Sequence, residues 1–101
     1  MLARSLRRSY TYQWCTPSRT AFLSGRLPVH LPFGLGNLCN PGDGIPRNMT
    51  AIAAVLKRAN YATHQLGKWD AGMSTPDHTP RGRGFDSSLG YARAPLLATT
   101  Y

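Results

Sequence analysis

Two short clusters of this 101-residue chain combine side chains able to do chemistry. The first is Cys15-Thr16-Pro17-Ser18-Arg19, with Gly25-Arg26 following. Pro17 suits the first turn of a helix and Thr16 can accept from a free backbone N–H beside it, so the spacing predicts a helix from about Pro17 through Ser24. Gly25 fits the left-handed position that closes such a helix. The free N–H groups and positive dipole end of that helix make a seat for an anion. Arg19, one turn from Cys15, can brace an anion there with its planar fork of donors. Taken alone, the pentapeptide is equally readable as a capped helix start with a buried thiol.

The second cluster is Lys68-Trp69-Asp70. Tyr61 to Leu66 is short, contains β-branched and aromatic residues and stops at Gly67, which predicts a strand. Ligands of open α/β sheets collect beyond the carboxyl ends of strands, so Lys68, Trp69 and Asp70 fall at a functional edge. Trp69 reads as a packing residue rather than a substrate contact. His30, His64 and His78 are isolated in sequence: His64 reads as a satisfied structural histidine, and His78 as a loop residue within possible reach of a substrate. Cys39 reads as structural or paired outside the chain. Asn48-Met49-Thr50 fits the N-glycosylation sequon but overlaps a helix start, and capping by Asn48 or Thr50 is the favoured reading.

These groups need elements to hold them. Ile52, Val55, Leu56 and Ala59 recur at i, i+3, i+4 and i+7, predicting an amphipathic helix that Asn60 closes. The Gly- and Pro-rich stretch from Leu27 to Pro46 predicts a loop, and the chain beyond Ala71 is expected to be mostly irregular. Helix followed by strand makes the fold class α/β. The expected organisation is a disordered basic N-terminus at 1–9, a partial catalytic domain at 10–91 and an unassigned tail at 92–101.

Composition is that of a folded chain, 42% hydrophobic and 16% charged. Twelve Lys and Arg stand against four Asp and Glu, all four of them Asp, for a net charge of +8. That favours anionic partners: nucleic acid, an acidic membrane surface or a sulfated or phosphorylated substrate. The basic residues are spread along the chain and no known nucleic-acid module is present, so a small basic nucleic-acid-binding protein is an alternative, not the expectation. No apolar run reaches the roughly 20 residues that span a bilayer, and no signal peptide is visible.

The two clusters together resemble the signatures of the type I sulfatases, in the alkaline phosphatase-like superfamily. Cys15-Thr16-Pro17-Ser18-Arg19 with Gly25-Arg26 is similar to the first signature. Asn60-Tyr61-Ala62-Thr63 leading to Gly67-Lys68-Trp69 is similar to the second, with Asn60 in place of the usual Gly. Arg83-Gly84-Phe85-Asp86 and Leu89-Gly90-Tyr91 extend the likeness, with arylsulfatase B-like members the nearest pattern. The resemblance implies part of the N-terminal half of a sulfate ester hydrolase, whose Cys15 a formylglycine-generating enzyme oxidises to formylglycine. Hydration gives a geminal diol: one hydroxyl attacks sulfur and the other expels sulfate.

By the same resemblance Arg19 braces this residue, Lys68 binds the sulfate and the formylglycine oxygen, and His78 is a possible further substrate contact. Asp70 replaces a histidine of the family, and either serves as a general base or reshapes the site toward another ester. A phosphoesterase or phosphonate hydrolase of the same superfamily is the second alternative. The family binds one Ca2+ through two acidic pairs and the formylglycine oxygen. Position 15 is the only expected ligand in this chain, because Asp43, Asp70, Asp77 and Asp86 are scattered. The fragment alone is therefore expected to be inactive. The family implies a secretory, lysosomal or extracellular location.

Overall fold

The computed structural model describes residues 5, 7–31, 44–93 and 96–100. Its elements run α1 (Cys15–Ser24), a 3-10 turn (Pro28–His30), α2 (Ile52–Arg58), β1 (His64–Lys68), a second 3-10 turn (Pro76–His78), β2 (Ser87–Arg93) and β3 (Leu96–Thr100). The α/β class expected from sequence is what forms. β1 and β2 pair in parallel, with His64 beside Ser87 and Lys68 beside Tyr91, while β3 returns antiparallel to β2. A parallel pair needs a crossover, and here residues 69–86 supply it.

α1 starts two residues earlier than expected. Its N-cap is Trp14, with no side-chain cap, and the amide of Ser18 closes the first turn on the Trp14 carbonyl at 3.2 Å. Thr16 therefore lies inside the helix, where its carbonyl accepts from Thr20 Oγ1 at 2.8 Å. The other end follows the sequence: Gly25 takes φ 66° and its amide returns to the Ala21 carbonyl.

α2 departs from expectation on two counts. Its N-cap is Ala51, not Asn48 or Thr50. Its expected apolar stripe is turned outward, with Val55 at 50% exposure and Ile52 and Leu56 at 37%, whereas Ala53 is fully buried. A helix held by its small residue lies close to its neighbour: Gly84, at φ 103°, abuts the Ala54 backbone, and a Cβ there would stand 2.7 Å from the Ala54 nitrogen. Asn60 closes the helix as predicted, at φ 62°, with its amide bonded to the Lys57 carbonyl.

β1 is displaced toward the C-terminus relative to the predicted span and runs through Gly67 to Lys68. The chain beyond Ala71, expected to be mostly irregular, carries β2 and β3. Ser-Ser-Leu-Gly-Tyr has weak intrinsic strand character, and the pairing with β1 imposes it. Of the loop expected from Leu27 to Pro46, residues 32–43 lie outside the described residues, as do Cys39 and Asp43.

The core sits where α1 meets the end of β1: Leu23, Ile45, Trp69 and Ala71 are buried together, and Met49, Met73 and Phe85 pack on them. Trp69 is 3% exposed, donates through Nε1 to the carbonyls of Gly72 (2.8 Å) and His78 (3.0 Å), and meets Phe85 edge-on at 6.0 Å. The packing role expected of it holds, and it anchors Lys68 and Asp70 on either side.

Candidate active site

Cys15 is the first residue of α1 and its thiol is exposed, not buried. Lys68 ends β1, and its ammonium stands 3.1 Å from Asp70 Oδ2. Cys15 and Lys68 line the same cleft, and the Cys15 side chain lies near enough to that ammonium to act on its charge, so the two sequence clusters meet at one point. Arg19 adds a third tie, its Nη1 donating to the Lys68 carbonyl at 2.6 Å. That bond fixes α1 against the end of β1 across 49 residues of sequence.

Asp70 adopts the left-handed conformation at φ 52°, which Asp and Asn tolerate better than other non-glycine residues. Its side chain is 5% exposed, against 19% for Lys68. Partial burial alone would lower the Lys68 pKa. The hydrogen bond and charge of Asp70, joined by those of Cys15, outweigh that and raise it above its ordinary 10.5. The lysine is thus a fixed cation beside the thiol throughout the physiological range.

A cleft of about 630 Å³ opens over this cluster. Cys15, Arg19 and Lys68 lie along it, and Tyr12, Trp14 and Phe22 give it an aromatic wall that sequence reasoning did not anticipate. The signal was present, because positions 14 and 22 flank the motif, yet their direction depends on where α1 begins.

His78 is not among the residues lining the cleft. It is 4% exposed, its Nδ1 lies 2.8 Å from Thr75 Oγ1, and burial together with the charges of Arg83 and Arg47 lowers its pKa below 6.5. The expectation of a surface loop histidine is therefore corrected: the 3-10 turn folds His78 inward, where its carbonyl holds Trp69. His64 is exposed, with Nδ1 2.8 Å from Ser87 Oγ, and lies at the edge of the cleft.

The described carboxylates do not make a calcium site. Asp70 is paired with Lys68, Asp77 with Arg47 at 3.3 Å, and Asp86 with Lys57 at 2.6 Å. Among the described residues no three His, Cys, Asp or Glu side chains converge on one point. A cation wanting six or more oxygens would find too few among the described side chains.

Known proteins match the chain along most of its length. The Sulfatase family model matches residues 5–98. An arylsulfatase of Hemicentrotus pulcherrimus is 42% identical over 80 residues, covering 71% of this chain and 14% of the relative. The steryl-sulfatase of Rattus norvegicus is 39% identical over 87 residues, covering 75% and 15%. Arylsulfatase G of Canis lupus familiaris is 40% identical over 76 residues, covering 75% and 14%. Among solved structures, the crystal structure of Ps i-CgsB superposes with a TM-score of 0.62 at 37% identity, over 77% of this chain and 17% of that one. The same protein in complex with k-i-k-neocarrahexaose gives 0.62 at 36%. The chain thus spans about one seventh of the length of the curated relatives it matches.

Proposed function

The chain belongs to the sulfatase family, and we propose that it is the nucleophile-bearing segment of a sulfuric ester hydrolase, with Cys15 the position of a formylglycine. One observation carries this reading: an exposed thiol at the head of α1 shares a cleft with Lys68 and acts on its charge. Once oxidised to a hydrated aldehyde, position 15 would supply a nucleophilic hydroxyl for sulfur and a second hydroxyl that releases sulfate.

The chain's own residues do the rest. The amides of Cys15 and Thr16 at the head of α1 have no intrahelical partner, and the helix dipole adds to their attraction for a sulfate oxygen. Lys68 offers the same anion a fixed positive charge. Arg19 acts as a positioning residue, since its hydrogen bond to the Lys68 carbonyl sets the distance between α1 and β1. Asp70 holds the lysine charged, and its carboxylate, 3.1 Å from that ammonium, is the base we assign to proton transfer at position 15. Ca2+ is part of the family's chemistry, and its acidic ligands would come from parts of a sulfatase beyond these residues, so this segment alone is inactive.

A sulfate ester is the substrate class, a formylglycine-generating enzyme the maturation partner, and a secretory or lysosomal route the location this reading carries. No described helix is long and apolar enough to cross a membrane.

The test is mass spectrometry of the Cys15 peptide after co-expression with the modifying enzyme. The expected product is the aldehyde in place of the thiol, abolished by Pro17→Ala and Arg19→Ala. A thiol left intact on the wild-type chain would remove the proposal. Parallel turnover of aryl sulfate and aryl phosphate by the parent enzyme separates the phosphoesterase alternative.

A further inference from the structure

Residues Ile45 and Ala51 are buried, at 0% and 2% exposure, and the segment between them bows into solvent. Its turn is closed by the Met49 amide on the Pro46 carbonyl at 2.9 Å, which makes Asn48 the third residue of a four-residue turn. The turn is held from beneath by the buried guanidinium of Arg83, whose Nη2 donates to the carbonyls of Met49 and Pro46. Asn48 and Thr50 are both exposed, and neither caps α2, whose N-cap is Ala51. The competing role that the sequence offered these two side chains is therefore absent, while the triplet Asn48-Met49-Thr50 retains the Asn-x-Thr pattern of a glycan acceptor.

We propose that Asn48 is an N-glycosylation site, modified when the chain passes through a compartment holding a lipid-linked oligosaccharide. The Asn48 amide nitrogen attacks the anomeric carbon of a polyprenyl-pyrophosphate oligosaccharide. A C–N bond forms, the C–O bond to pyrophosphate breaks, the amide gives one proton to a base of the transferase, and the polyprenyl pyrophosphate leaves. The hydroxyl of Thr50, two residues on, is the group the transferase must recognise. A glycan here projects from the apex of a clamped turn and displaces no packed side chain. This inference does not depend on the chemistry at Cys15.

The experiment is translation of the full chain, fused to an export signal, in the presence of endoplasmic reticulum microsomes, so that modification is read without requiring secretion. Protease-protected wild type should shift in mobility, and the shift should be reversed by an amidase that cleaves Asn-linked glycans, leaving Asp at position 48 by mass spectrometry. Asn48→Gln and Thr50→Ala should each abolish the shift, and Thr50→Ser should retain it at reduced occupancy. Protease-protected wild-type chain that co-migrates with Asn48→Gln, or a shift that survives both variants, overturns the proposal.

Discussion

At the scale of single residues, the site is governed by how a carboxylate and a thiol treat one ammonium. The raised Lys68 pKa is a balance in which partial burial opposes Asp70 and Cys15, so removing the carboxylate exposes the burial effect. Asp70→Asn keeps a residue type that tolerates φ near 52° and still leaves Lys68 without its counter-charge. The Lys68 pKa should fall to or below 10.5, which heteronuclear titration can resolve because Lys57 is the only other lysine. An unchanged pKa would mean that Asp70 does not set the lysine's charge. A second carboxylate tests pH linkage. Lys57 and the Thr63 amide hold Asp86 from 3.8 down to about 2, so its contribution is intact above 3.8 and is lost as pH falls toward 2. Asp86→Asn should therefore lower stability at neutral pH and flatten the acid limb of the unfolding curve between roughly pH 4 and 2. His78 adds a loss that begins higher, as pH drops below 6.5, because its buried ring resists the proton that the unfolded chain accepts.

At the scale of elements, two glycines separate backbone conformation from packing. Gly25 takes φ 66°, and a methyl added to its α-carbon would find nothing within 4 Å, so Gly25→Ala should cost only about 1 kcal/mol, the left-handed penalty. Gly84 takes φ 103° and in addition abuts Ala54, so Gly84→Ala should cost about 2–3 kcal/mol and loosen α2 from the turn that carries Phe85. Chemical denaturation of the two variants gives the comparison, and equal costs would show that the close approach contributes nothing. The same contrast explains what could be read from the sequence. Gly25, Asn60 and the α/β order were legible because helix ends depend on local backbone preference. The meeting of Cys15 with Lys68 was legible only through the family resemblance, since no local rule joins residues so far apart in the chain. The start of α1, the inward turn of His78 and the strands beyond Ala71 were not legible. Each is decided by contacts that local patterning does not encode: Ser18 on the Trp14 and Tyr12 carbonyls, Trp69 on the His78 carbonyl, and β2 beside β1.

At the scale of the whole molecule, a net charge of +8 coexists with a surface on which Trp14, Phe22, Val55 and Leu66 are each half or more exposed. Exposed apolar groups of that size favour association, and a uniform positive charge opposes it. Salt decides which wins, because the Debye length shrinks from about 30 Å at 0.01 M to about 8 Å at 0.15 M and the repulsion fades with it. The purified 101-residue chain should therefore be monomeric at low ionic strength and associate as salt rises, as sedimentation velocity would reveal. Val55→Lys, at a position 50% exposed, should suppress the association while leaving stability within the small range of surface substitutions, about 0.5 kcal/mol. Ala53→Lys, on the fully buried face of the same helix, should instead unfold the chain. Association that weakens with salt, or that Val55→Lys leaves untouched, would assign the contact to charge and not to the outward stripe of α2. Any partner covering that stripe must then be apolar at its centre, since the cations Lys57 and Arg58 already flank it at the helix end.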